Sequence, residues 1–310
     1  MASYNIRKIL GAVADVRKRT PATARMCLVG QAGQLADVGR MLSAGADDAA
    51  EGGLSHAFDV LDPGAFPTRE QALSRWSLVV FVEDAHQPVR PELGPTVAFC
   101  RAAKVPVIVA AVRDTEAVPV DRHAWVELAG LHQSEFVVHT RGTPARKAAL
   151  TRRIAQKAGD TGMALASRLP ALRGSVIDAV IDHTARQNAI VGVVVFIPGA
   201  DMPVMTVNQL KMMLRIGAAY GYKSDLQRAV EMIGVIATGF GFRALARRAV
   251  TEVPGLGWAM KGTIGYAGTQ AIGRAAVAYF ESGAPLTASR FPRLSTQLGK
   301  LEKVARGITP

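Results

Sequence analysis

Residues 187–221, QNAIVGVVVFIPGADMPVMTVNQLKMMLRIGAAYG, contain two apolar segments separated by Pro198-Gly199, Asp201 and Pro203. The apolar residues of the second segment recur every three or four positions: Val207, Leu210, Met213, Leu214 and Gly217. Polar residues fall on the opposite side: Asn208, Lys211 and Arg215. This period is that of an amphipathic helix and not of a strand. The stretch therefore predicts helical structure on the C-terminal side of a break.

Helical patterns with glycine interruptions continue from residue 175 onward, and no strand pattern returns. Nine glycines lie between residues 232 and 273. Each would weaken a water-exposed helix by roughly 1 kcal/mol relative to alanine, but glycine lets helix backbones approach and is common in membrane helices. The longest uncharged runs there have eleven and twelve residues, against the about 20 that a bilayer span needs. A surface-seated or re-entrant hairpin, a soluble bundle and true spans all stay open.

The first half of the chain has a different pattern, in which short apolar runs alternate with helical segments. The predicted strands are residues 26–30, 58–61, 77–82, 105–112 and 136–139. The predicted helices are residues 35–42, 68–75 with Thr68 as the N-cap, and 91–103. Strands that are apolar throughout are typical of a parallel sheet covered by helices on both faces. The sequence therefore predicts an α/β domain followed by an all-α, glycine-rich domain.

Charge is distributed unevenly along the chain. Residues 1–140 hold 14 basic and 16 acidic residues, whereas residues 141–310 hold 23 and 9, so the balances are −2 and +14. We predict four segments: a basic amphipathic helix (1–25), the α/β domain (26–141), a basic helical connector (142–174) and the helical domain (175–310). The first helix could pack on the protein or lie on a membrane surface. A basic half favours an anionic partner, either nucleic acid or a phospholipid surface.

The cysteines and histidines argue against disulfide, zinc and other metal sites. Cys27 and Cys100 form no CxxC pair, which favours a reducing compartment. The first residues lack the apolar core of a secretory signal. Asp182 has Arg186 four residues later, so we interpret that helix face as salt-bridged and not as a metal site. We predict no metal ligands and no catalytic residues.

The turn after residues 26–30 invites comparison with a phosphate-binding loop. With Gly30 as the first glycine of GxxxxGK[ST], the other required positions hold Leu35, Ala36 and Asp37. A carboxylate at a helix start would interact with the same positive end of the helix dipole that binds a phosphate, so we expect Asp37 to disfavour phosphate there. A structural turn, nucleotide binding without hydrolysis, and hydrolysis stay open in that order.

The order of these features resembles an Era-like GTPase domain of the translation-factor-related class. The segment at residues 29–33, VGQAG, resembles the start of its phosphate loop, and residues 61–64, LDPG, resemble its DTPG segment with Leu61 in place of the metal-linked aspartate. Residues 77–85 resemble the following strand, and residues 107–114 resemble the strand before NKxD, of which Asp114 remains. The resemblance implies a degenerate P-loop GTPase-like domain. The vestigial nucleotide-binding residues that it implies are Gly30, Gln31, Ala32, Gly33, Gln34, Asp62, Gly64 and Asp114.

The C-terminal part resembles the family of YcjF-like inner-membrane proteins, the domain of unknown function 697. The matching segments are IPGAD (197–201), NQ (208–209), AAYG (218–221), VPGLGW (253–258) and TQAIGRAA through YFE (269–281). The resemblance implies membrane association and a companion GTPase domain, and no established reaction. The residues that it implies for membrane contact or helix packing are Pro198, Gly199, Asp201, Pro254, Gly255, Gly257, Gly265 and Gly268.

Together these features predict a non-catalytic pseudo-GTPase-like scaffold or adaptor, peripheral to or partly embedded in the cytoplasmic membrane face. The expected partners are an anionic membrane surface and a protein, self-association stays open, and no cofactor is expected. One alternative is a GTPase switch with a non-standard P-loop that binds GTP and Mg²⁺. Another is a basic nucleic-acid-binding protein, which the low aromatic content of 6% disfavours.

Overall fold

The computed structural model describes residues 2–21, 24–46, 58–117, 119–142, 144–194, 201–225, 228–229 and 257–283. The chain divides into two compact units. The sheet unit comprises residues 21–179, and the helical unit comprises residues 1–20 together with 180–310. The predicted connector, residues 142–174, thus belongs to the sheet unit, and the first helix belongs to the helical unit.

The sheet unit contains a five-stranded parallel sheet with the order β2-β1-β3-β4-β5. Its strands are β1 (Met26–Gly30), β2 (Phe58–Leu61), β3 (Leu78–Asp84), β4 (Val107–Arg113) and β5 (Phe136–Thr140). The prediction of an α/β domain with a parallel sheet is confirmed. From β1 the chain crosses to β2 on one side of it, and from β2 it crosses back past β1 to β3 and then on to β4 and β5. Because such crossovers are right-handed, the two directions place helices on opposite faces of the sheet.

Helices connect the strands and make up the helical unit. They are α1 (Ala2–Arg19), α2 (Ala32–Ser43), α3 (Glu70–Leu73), α4 (Leu93–Ala102), α5 (Arg122–Leu128), α6 (Pro144–Ala158), α7 (Gly162–Arg168), α8 (Pro170–Val194), α9 (Asp201–Ala219) and α10 (Gly257–Glu281). Of the helices described, none is both long and apolar enough to cross a bilayer.

The strands form because their apolar side chains are buried on both faces of the sheet. All five residues of β1 are buried, as are the first six of β3 and of β4. Phe81 and Phe136 are among the largest fully buried side chains of this core. Cys27 and Cys100 are free, buried thiols, and burial raises the pKa of each to about 12. The core therefore holds both cysteines as unreactive thiols.

Two features of the sheet unit differ from the prediction. The helix predicted over residues 68–75 is the short α3, and Thr68 is not its cap, because Arg69 precedes the first helical residue. The helix ends before Trp76, which enters the core and donates its indole N–H to Asp59 at 2.6 Å. The second difference is α5, a helix that we did not predict, whose N-cap Asp121 accepts hydrogen bonds from two backbone N–H groups.

In the helical unit α1 packs against α9. Ala12, Val13 and Val16 are buried, and the Asp15 carboxylate lies 2.7 Å from the Lys211 ammonium. The hydrogen bond from Lys211 lowers the pKa of Asp15, against the opposing effect of burial. The interpretation of α1 as a packing helix therefore holds for this face, and its last turn carries Arg17, Lys18 and Arg19.

Candidate functional site

The carboxyl ends of β1 and β3 border a pocket of about 340 Å³. The chain leaves β1 for β2 on one side and returns to β3 on the other, so the pocket lies where the strand order reverses. In open parallel sheets ligands bind at this position. The pocket is lined by Gly30, Gln31 and Gln34 after β1, by Pro63 after β2, and by Val82, Glu83, Asp84, Gln87, Pro88 and Arg90 at and after the end of β3.

Gly30 is the pocket residue at which the sheet itself excludes a side chain. A Cβ atom there would lie 2.4 Å from the carbonyl oxygen of Val82 on β3. At Gly33 no atom lies within 4 Å of the corresponding position, and at Gly64 the nearest is the Asp62 carboxylate at 3.4 Å. Of these three glycines, Gly30 alone is required for close packing, and the requirement comes from the neighbouring strand.

Glu83 and Arg90 form a two-point ion pair at the wall of the pocket. The Nε of Arg90 donates to Oε2 of Glu83 at 2.8 Å, and its Nη2 donates to Oε1. The Glu83 side chain is 7% exposed, and that of Arg90 is 30% exposed. The hydrogen bond that Arg90 donates to Glu83 is the main reason that the pKa of Arg90 is raised. Both charges are therefore already satisfied within the chain.

Asp84 is likewise engaged by its neighbours. The Nε2 of Gln34 donates to its Oδ2 at 3.2 Å, and the backbone N–H of His86 donates to its Oδ1 at 2.9 Å. The Nδ1 of His86 lies 2.8 Å from the same Oδ1. Burial alone would raise the pKa of Asp84, but these hydrogen bonds outweigh it and hold the pKa below its ordinary value. Asp84 thus carries a negative charge at the pocket at neutral pH.

The expected position of Asp37 at a helix N-terminus is wrong. Because α2 begins at Ala32, with Gln31 as its N-cap, Asp37 lies in the second turn, beyond the first turn in which the helix dipole acts strongly. Its carboxylate instead lies 3.2 Å from Arg141 and 3.4 Å from Arg40. Asp37 therefore does not occupy the N-terminus of α2. What separates this turn from a phosphate loop is that positions 35, 36 and 37 hold leucine, alanine and aspartate in place of glycine, lysine and serine or threonine.

Asp114 belongs to a different cluster from the pocket residues. The Nη1 of Arg141 donates to its Oδ1 at 2.8 Å, and the same guanidinium contacts Asp37. Asp62 caps a single turn of 3-10 helix by accepting from Gly64 N–H at 2.9 Å, and the next residue, Pro63, reaches the pocket. The structure therefore brings Gly30, Gln31 and Gln34 together at the pocket, leaves Ala32 and Gly33 in the first turn of α2, and places Asp114 elsewhere.

The helical unit contains a buried polar network joining α8, α9 and α10. The Nδ2 of Asn188 and the Nε2 of Gln209 donate to Oγ1 of Thr269 at 2.9 and 3.1 Å, and that hydroxyl donates to the carbonyl of Gly265 at 2.7 Å. Asn188, Gln209 and Thr269 are fully buried. The Nδ2 of Asn208 also donates to Asn188 at 2.9 Å. The segments quoted for the YcjF-like resemblance contain three of these residues but not Asn188.

Glycines of α10 allow it to lie against α8. A Cβ on Gly262 would lie 2.9 Å from Val193, on Gly265 it would lie 2.8 Å from the carbonyl oxygen of Asn188, and on Gly273 it would lie 2.7 Å from Ile181. Close backbone approach is what the glycine density predicted, and it is achieved within the protein.

The other residues predicted for membrane contact or packing are only partly described. Gly257 is the first residue of α10, Gly268 lies half-buried in that helix, and Asp201 begins α9. Four further predicted residues lie outside the described residues: Pro198, Gly199, Pro254 and Gly255.

The described residues contain no group of three or more His, Cys, Asp or Glu side chains that could hold a metal ion. The salt-bridged interpretation of α8 is confirmed, because Arg186 lies 2.7 Å from Asp182.

Sequence reasoning missed Glu83, Asp84 and Arg90 as pocket residues. The available signal was the run of acids that ends an apolar strand, since carboxyl ends of adjacent parallel strands meet at one edge.

In comparisons with known proteins, no family model and no curated sequence matches the chain.

Proposed function

We propose that this chain is a non-catalytic, GTPase-like scaffold or adaptor that associates with the cytoplasmic membrane face. The observation that carries the proposal is the state of the pocket at the carboxyl ends of β1 and β3. Its charged groups, Glu83, Arg90 and Asp84, are paired with each other or with Gln34 and His86. A charged ligand would have to compete with these internal pairs, and this cost lowers the affinity that the site can provide.

The charge of the pocket also disfavours a nucleoside triphosphate. Two carboxylates, Glu83 and Asp84, line it with a single cation, Arg90, which is committed to Glu83. Position 36, where a P-loop has its lysine, is alanine. Phosphates bound here would face like charge without a compensating lysine.

Titration of fluorescent GTP and ATP with Mg²⁺ into the full chain tests the absence of nucleotide binding. We expect no saturable signal at millimolar nucleotide. Saturable binding that Asp114→Ala abolishes would replace the proposal with the GTPase-switch alternative. Glu127→Ala is the matched control, because it also removes an exposed carboxylate, on α5 and outside both the pocket lining and the cluster around Asp114.

The membrane part of the proposal is supported by charge. Residues 141–310 carry a balance of +14, with 23 basic and 9 acidic residues, and α1 ends in three basic residues. Basic residues near an anionic leaflet contribute about 1 kcal/mol each.

Fractionation of the untagged protein, followed by a high-salt wash of the membrane pellet, tests this part. Release by salt supports attachment through the basic surface, and release only by detergent supports insertion of helices. Recovery entirely in the lipid-free fraction would overturn it. Retention on RNA or DNA that falls steeply with salt would favour the nucleic-acid alternative.

A further inference from the structure

Four basic side chains border the start of β5 in the sheet unit: Arg101, Arg122, Arg153 and Lys157. The acid among them is Glu135, which directly precedes the strand. Lys157 Nζ lies 3.8 Å from Glu135, and Arg153 lies one helical turn earlier on α6. Since α6 packs along β5, Arg153 is placed beside the first residues of the strand.

Glu135 is already saturated by two of these cations. The Nε of Arg101 donates to its Oε1 at 3.3 Å, Nη2 of Arg101 donates to Oε2, and the backbone N–H of His132 donates to the same Oε2 at 2.8 Å. Lys157 contacts Oε1. Burial would raise the pKa of Glu135, but the hydrogen bonds, chiefly from Arg101, hold it below its ordinary value. The negative charge of Glu135 is therefore already paired with Arg101 and Lys157.

Arg122 is held in place by neutral groups. Its Nη2 donates to the carbonyl oxygens of Gln133 and Phe136, both at 3.3 Å, and its guanidinium carbon lies 5.7 Å from the centre of the Phe136 ring. These contacts fix the orientation of the guanidinium without neutralising its charge.

Arg153 is half-buried and has no acidic partner within the part of the chain that the structure describes. Burial, and then the charge of Arg122, lower the pKa of Arg153. The acids of α5 are engaged elsewhere, because Asp121 accepts from the N–H groups of His123 and Ala124, and Glu127 lies 3.4 Å from the ring of His123. Both guanidinium groups thus belong to elements that meet at the start of β5, and neither has a carboxylate partner among the described residues.

We propose that Arg122 and Arg153 form a binding site for a phosphate-type oxyanion. Guanidinium groups present planar pairs of N–H donors that match phosphate oxygens, and partial burial strengthens such hydrogen bonds. The oxyanion would supply the negative charge that the cluster lacks. The chemistry is shared by free phosphate and by the headgroup of an anionic lipid. The proposal stands independently of the pocket at the carboxyl ends of β1 and β3, which lies at the opposite ends of the strands.

The test uses Arg153→Met and Arg152→Met in the full chain. Both variants remove one positive charge from the same helix, but Arg152 is exposed, and methionine keeps an unbranched apolar stem. Calorimetric titration with inorganic phosphate at constant ionic strength should give equal affinity for the wild type and Arg152→Met. Arg153→Met should bind about tenfold more weakly or not at all, because charge-assisted hydrogen bonds are lost.

Unfolding temperature supplies a second readout. Without phosphate, Arg153→Met should be at least as stable as the wild type, because it removes an uncompensated cation. Added phosphate should raise the unfolding temperature of Arg153→Met less than that of the wild type. Arg153→Lys keeps the charge but loses the planar donor pair, so it should bind phosphate more weakly than the wild type even if the methionine variant does not fold. Equal responses of the wild type and all three variants, or no phosphate binding by the wild type, would overturn the proposal.

Vesicles identify the source of the oxyanion. With phosphatidylglycerol vesicles, sedimentation that Arg153→Met reduces and Arg152→Met does not would assign the site to a lipid headgroup. Equal sedimentation of both variants, together with the loss of phosphate binding by Arg153→Met, would assign it to a free anion. Phosphatidylcholine vesicles provide the uncharged reference.

Discussion

The hydroxyl oxygen of Thr269 on α10 accepts a hydrogen bond at 2.9 Å from the side-chain amide of Asn188 on α8, which is 81 residues away in the sequence. The same oxygen accepts from Gln209 on α9 and donates to the Gly265 carbonyl. Because its one proton is used on Gly265, the hydroxyl must act as acceptor for both amides. One threonine therefore links three helices through buried hydrogen bonds.

Replacing Thr269 with valine should destabilise the helical unit. The substitution keeps the shape of the side chain but leaves the buried amides of Asn188 and Gln209 without their acceptor, at a cost of about 2–4 kcal/mol. Chemical denaturation followed by circular dichroism measures the loss. Thr269→Ser, which keeps the hydroxyl, should cost clearly less, and equal losses for the two variants would contradict a role for the hydroxyl.

Gly265→Ala should also destabilise the protein, against the usual preference of helices for alanine. The new Cβ would lie 2.8 Å from the carbonyl oxygen of Asn188, so α8 and α10 must separate, and the overpacking should cost about 1–3 kcal/mol. In α2, Gly39 has no neighbour within 4 Å of that position, and Gly39→Ala should stabilise by roughly 0.5–1 kcal/mol. Thermal unfolding of the two variants should therefore shift in opposite directions.

Arg90→Met should leave the buried Glu83 carboxylate without its partner. Removing one member of a buried ion pair costs about 3 kcal/mol, whereas the exposed Arg40→Met should stay within about 0.5 kcal/mol of the wild type. The double variant Glu83→Met/Arg90→Met should recover most of the loss, since both charges are then absent. Urea titration measures all three, and a double variant less stable than Arg90→Met would contradict the pairing.

The depressed pKa of Asp84 predicts a pH dependence of stability. Because the pKa is lower in the folded state than in the unfolded state, the stabilisation is complete above the unfolded value of about 3.9 and is lost as the pH falls through the folded value. Asp84→Asn should therefore be less stable than the wild type at pH 7, and the two should converge below about pH 4. Unfolding measured between pH 7 and pH 3 tests this, and a difference that grows in acid would show the opposite sign.

The elements of the sheet unit were predictable because their signals are local. An apolar run such as residues 26–30 needs burial on both faces whatever lies beside it, and alternation with helical segments implies a parallel sheet. The short α5 escaped because seven residues carry too little periodicity, and its N-cap Asp121 was the available clue. The end of α3 could not be foreseen, since it depends on where Trp76 enters the core.

Local patterns in the sequence were thus sufficient for the strands, the helical period of α9 and the Asp182–Arg186 pair, each of which depends on residues within one element. The Glu83–Arg90 wall of the pocket, the cations around Glu135 and the contact of Thr269 with Asn188 arise from which elements become neighbours. Strand order and helix pairing are properties of packing between distant segments. So is the exclusion of a side chain at Gly30, where a Cβ atom would lie 2.4 Å from the carbonyl oxygen of Val82. Only the tertiary structure decides them, because close packing selects one arrangement among many that local preferences allow.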